Sequence, residues 1–74
     1  MKADPREKFV SLAEKRVSRA IKDIKLIANL SNRSNYQYDD QDVQKIIRAL
    51  KRALDECKSK FEQDGKDQDE VFKL

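Results

Sequence analysis

The 74-residue chain has no histidine and no tryptophan, and only one cysteine, one glycine and one proline. Without His, and with a single thiol, there is no zinc finger, no Ser-His-Asp or Cys-His nucleophile system and no intrachain disulfide. Catalysis is therefore not expected, and no cofactor or metal is implied. A secreted scaffold of this size would carry paired cysteines, so the reduced cytoplasm is the expected compartment. The first residues, Met1 to Glu7, are polar, which predicts no signal peptide, and no run approaches 18 apolar residues, which predicts no membrane partner. Scarce Gly and Pro argue against a loop-rich or β-rich fold.

What is present is charge and helix formers: 42% of residues are charged and 38% are hydrophobic. A chain this short supports one domain, whose core alone would contribute only about 3–5 kcal/mol. Folding is expected to need a partner.

The first helix is predicted over about residues 5–30. Asp4 is placed to accept from free first-turn amides, Pro5 sits where a missing N–H costs nothing, and Glu7 completes a capping-box-like Asp-x-x-Glu. Val10, Ala13, Val17, Ala20, Ile24 and Ile27 then recur at alternating spacings of three and four, a heptad seam widened by Phe9, Leu12, Ile21, Ala28 and Leu30. Ala13 and Ala20 would let a partner helix approach closely.

Residues 31–39 form the expected connection, rich in Ser and Asn. Asn32 or Asn35 is expected to take the left-handed conformation that ends many helices. Asp39 or Asp40 then caps a second helix over about residues 40–62. Its apolar stripe is Val43, Ile46, Ile47, Leu50, Ala53, Leu54, Cys57 and Phe61. Cys57 falls on that stripe, which argues for packing rather than thiol chemistry. Residues 63–74 read as a polar, acidic and disordered tail, a docking peptide or a cover for basic faces being the functional alternatives.

Two helices of similar length joined by so short a segment predict an all-α fold, an antiparallel two-helix hairpin. Each stripe is wider than one facing helix can cover. Two hairpins closing a four-helix bundle would cover both, so a homodimer is predicted, with Val10, Ala13, Val17, Ala20, Ile24, Ile27, Ile47, Leu50, Leu54 and Cys57 in its core.

The net charge of +3 is unevenly spread. Residues 1–33 hold nine Lys or Arg against four Asp or Glu, residues 34–61 hold six against five, and residues 62–74 hold two against five. Lys8, Lys15, Arg19, Lys22 and Lys25 share a face opposite the seam, and Lys45, Arg48, Lys51 and Arg52 lie on the outer surface of the second helix. Such stripes suit a phosphate backbone, because neutralising phosphates releases counterions. They equally suit a solvated bundle surface, with Glu14, Asp23, Asp55 and Glu56 interleaved. Lys15, Arg19, Lys22, Lys25 and Arg33 are the candidate phosphate contacts. Tyr36 and Tyr38 would stack on unpaired bases or fold over Ile27, Leu30 and Val43 to close the bundle end. Asp39, Asp40 and Asp42 could in principle hold a divalent cation, but acids in a helix N-terminal turn are better explained as caps.

The segment Lys25 to Tyr36, KLIANLSNRSNY, with Tyr38 and the start of the second helix, resembles a run in small uncharacterised bacterial proteins, over about residues 9–61. That resemblance implies no activity. In architecture the expected hairpin is similar to the Rop family, whose hairpins dimerise into four-helix bundles and bind paired RNA loops, an analogy of fold. The functional expectation is a small non-enzymatic protein that binds RNA or DNA through basic helix faces. Its alternative is an adaptor of a larger bacterial or phage assembly that engages a protein partner and no nucleic acid.

Overall fold

In the computed structural model, which describes residues 4–66, a helix over Pro5–Ala28 (α1) runs into a 3₁₀ turn over Asn29–Ser31, and a second helix spans Asp40–Lys66 (α2). The described residues contain two long helices and no strand. The chain divides into two units, one ending at Gln37 and the other beginning at Tyr38, each built on one of the helices.

The start of α1 follows from local chemistry. Asp4 is the N-cap, with extended backbone (φ −57°, ψ 135°), and its carboxylate accepts from the Arg6 N–H at 3.1 Å. Pro5 occupies the first helical position and Glu7 lies in the first turn, where the helix dipole favours a negative charge. Lys25 supplies the complementary positive charge in the last turn.

The exit from α1 differs from the expected left-handed cap. No described residue has positive φ. The helix tightens into the 3₁₀ turn and ends where Asn32 becomes extended (φ −70°, ψ 100°). Asn32 then organises the next four residues. Its side-chain Oδ1 accepts from the Ser34 N–H at 3.0 Å and the Ser34 hydroxyl at 2.5 Å, and its carbonyl accepts from the N–H groups of Asn35 (3.1 Å) and Tyr36 (3.0 Å). An Asn side chain can satisfy turn amides without left-handed backbone, which is the physical reason this solution is open.

Asp39 is the N-cap of α2. Its Oδ1 accepts from the Asp42 N–H at 2.8 Å, while Asp42 Oδ2 accepts from the Asp39 N–H at 3.0 Å. This is a capping box with Asp in the third helical position. The expected end near residue 62 is too early: α2 continues through Gln63, Asp64 and Gly65 to Lys66. Gln, Asp and Lys are tolerated in a helix, and a single Gly costs only about 1 kcal/mol relative to Ala. The expected disorder of residues 67–74 concerns positions outside the described residues.

None of residues 4–63 is buried. The apolar stripes of both helices are open, with Val17 57%, Leu54 68% and Phe61 63% exposed. Burying a side chain such as Val, Leu or Phe contributes about 1.5–3 kcal/mol, a stabilisation these exposed side chains do not draw on in the single chain. Helices draw most of their stability from packing an amphipathic face.

Candidate nucleic-acid interface

With 3.6 residues per turn, Lys8, Lys15, Arg19, Lys22 and Lys25 project from α1 within an arc of about 120°, centred opposite the apolar seam. All five are exposed, and none makes an ion pair among the described residues. Glu14 and Asp23 fall just outside the arc, one on each side. From Lys8 to Lys25 the arc is about 26 Å long at 1.5 Å per residue. Four of the predicted phosphate contacts, Lys15, Arg19, Lys22 and Lys25, are thus brought onto one face by one rigid element.

Three further residues belong to this face. Ser11 and Ser18 fall in register with Lys15, Lys22 and Lys25 at alternating spacings of four and three, so hydroxyl donors and ammonium groups form one stripe. Leu26 lies within the same arc and is 56% exposed, an apolar contact among cations. The spacing that reveals the lysines also contains the serines, whereas Leu26 belongs neither to the cations nor to the apolar stripe and so is passed over by both patterns.

The outer face of α2 has a different character. Lys45, Arg48, Lys51 and Arg52 are interleaved with Asp55 and Glu56, and Arg52 Nε lies 3.6 Å from Glu56 Oε1. Both partners are largely exposed, and an i,i+4 pair of this kind contributes about 0.3–0.5 kcal/mol. A shallow open groove beside it is lined by both signs of charge, from Arg52, Asp55, Glu56 and Lys60. Cationic character is therefore concentrated on α1.

The connection supplies the remaining candidates. Arg33 lies inside the turn held by Asn32, and Tyr36 follows it, 49% exposed. Tyr38 belongs to the second unit and is half-buried. At the start of α1 the Arg6 guanidinium lies 5.9 Å from the Phe9 ring centroid, within cation–π range, so the cation caps an exposed aromatic on the apolar side.

Of the predicted dimer-core residues, Val10, Ala13, Ile27 and Leu50 are half-buried, and Val17, Ala20, Ile24, Ile47, Leu54 and Cys57 are exposed in the single chain. Asp39 and Asp42 are engaged in the cap of α2, and no group of acids or thiols among the described residues is arranged to hold a metal ion. No helix among the described residues is long and apolar enough to cross a membrane. In comparison with known proteins, the chain matches no family model, no curated protein and no solved structure.

Proposed function

We propose that this chain is a small, non-catalytic binding protein that pairs with a second copy of itself and presents the basic face of α1 to nucleic acid. The observation that carries the reading is the arc of five exposed cations on α1, opposite an apolar stripe and without ion-paired acids among the described residues. Such an arrangement divides the helix between two tasks. One side seeks a protein surface, and the other offers a line of phosphate contacts.

The pairing follows from the open stripes. Helices of 24 and 27 residues joined by a short connection suit an antiparallel hairpin, and two hairpins closing a four-helix bundle would cover the seams of both. This is the arrangement analogous to the Rop hairpin. Val10, Ala13, Val17, Ala20, Ile24 and Ile27 of α1 would meet Ile47, Leu50, Leu54 and Cys57 of α2 in the shared core. Lys15, Arg19, Lys22, Lys25 and Arg33 would contact phosphates, and Tyr36 and Tyr38 would stack on bases or close the bundle end. The cytoplasm, where nucleic acid is at hand and a lone thiol stays reduced, is the compartment this reading implies.

Electrophoretic mobility shift against structured RNA, single strands and duplex DNA tests the binding, and sedimentation equilibrium tests the pairing. The same open stripes favour a second reading, in which a different protein covers them and the cations keep the complex soluble. A chain that stays monomeric, shifts no nucleic acid and is retained on a protein partner after nuclease treatment would favour that second reading.

A further inference from the structure

We infer that the basic face of α1 takes a flexible single strand of nucleic acid, held by its phosphates without regard to base sequence, and does not enter the groove of a duplex. The inference rests on the nucleic-acid reading above and draws only on α1 and the turn that follows it.

Charge placement is the first argument. Glu14 and Asp23 flank the arc of Lys8, Lys15, Arg19, Lys22 and Lys25, and at 3.6 residues per turn their spacing sets them about 180° apart around α1. An α-helix with its side chains is about 10–12 Å across and fills a B-form major groove about 12 Å wide, so both of its flanks meet the phosphates of the rims. Entering with its basic face inward, α1 would set a carboxylate toward each rim. The deep, narrow major groove of A-form RNA cannot be read by side chains at all.

Shape is the second argument. The five cations lie along a straight rod over about 26 Å, a line that each strand of a duplex leaves as it winds about its axis and that a single strand is free to follow. Residue type is the third. Asn and Gln, which read adenine, are absent from residues 8–26, and no acid, which would read cytosine, lies within the arc between Lys8 and Leu26. What the arc offers is ammonium, guanidinium and hydroxyl donors, all of which serve phosphates. Its apolar member Leu26, 56% exposed, and Tyr36 of the same unit, 49% exposed, suit the faces of unstacked bases, which a duplex hides in its stack.

The test is fluorescence anisotropy of the full chain with labelled oligo(dT), two unrelated mixed-sequence single strands, and the duplex of one of these with its complement, all of equal length. At low salt the three single strands are expected to bind within about threefold of one another, and the duplex about tenfold more weakly, since base contacts open only to the single strands add to the phosphate contacts. A second chain carrying both E14Q and D23N is expected to gain more affinity for the duplex than for the single strands, because the groove rims no longer meet carboxylates. Duplex binding as tight as single-strand binding would overturn the inference and leave the nucleic-acid reading standing. So would a preference above about tenfold for one of the single strands, or an equal gain for duplex and single strands in the altered chain. No binding of any probe at low salt would overturn both.

Discussion

Asp39 and Asp42 hold the start of α2 by exchanging hydrogen bonds, each carboxylate accepting from the other residue's backbone N–H at 2.8 and 3.0 Å. Two like charges one turn apart would ordinarily repel. Here both face the positive end of the helix dipole, and each satisfies an amide that the helix itself leaves without a partner. Replacing Asp39 with Ala is expected to cost about 1 kcal/mol, and replacing it with Asn only a few tenths. Urea unfolding followed by circular dichroism checks this, with the midpoint lowered and the slope unchanged.

Asn32 carries a comparable load at the exit of α1, since one side-chain oxygen and one carbonyl serve four donors. Asn32→Ala is expected to destabilise by about 0.5–1.5 kcal/mol through loss of the Ser34 bonds, and Asn32→Asp, which keeps the acceptor, to retain most of the stability. Asn32→Gly serves as a diagnostic: a left-handed exit would make it neutral or stabilising, whereas the extended backbone found at this position predicts a loss.

The open stripes predict how the chain behaves when its apolar face is spoiled. Ile24 and Ile47 are each about half exposed in the single chain, at 50% and 44%. Placing Glu at either is expected to shift sedimentation equilibrium from dimer to monomer and to reduce helical signal together, because burial and helix formation are coupled. Glu at the polar positions Lys45 or Arg48 of α2 is expected to do neither.

Much of this fold was legible in the sequence, and the legible parts are those fixed by local chemistry. The start of α1 at Asp4 and Pro5, the cap of α2 at one of Asp39 and Asp40, and the periodic stripes all depend on residues within one or two turns of each other. The end of α2 was less legible, because Gln63, Asp64 and Lys66 belong by composition to an acidic tail yet carry no helix-breaking geometry. The turn was legible as resting on Asn32 or Asn35, but neither the choice of Asn32 nor its mechanism was, since side-chain capping and left-handed backbone draw on the same residue types. In the candidate interface, Lys15, Arg19, Lys22 and Lys25 followed directly from spacing. Leu26 did not, because the face was read from its cations alone and Leu26 falls outside the apolar stripe.

Charge placement yields a graded prediction. Reversing Lys15, Arg19 and Lys22 together removes three of the five cations of the arc and should lower the dependence of log affinity on log salt by about 2–3 for duplex or single strands. Reversing Arg48 and Lys51 on α2, where Asp55 and Glu56 already balance the charge, should change that dependence little. Binding titrations at several salt concentrations distinguish the two.

The central claim, that the basic face of α1 binds nucleic acid, is tested most directly by mobility shift of the intact chain against structured RNA, single strands and duplex DNA at low and at physiological salt. The account predicts a shift at low salt that weakens by about tenfold or more as salt rises and is weaker at low salt in the Lys15, Arg19 and Lys22 reversal. No shift of any of these probes at low salt would contradict it.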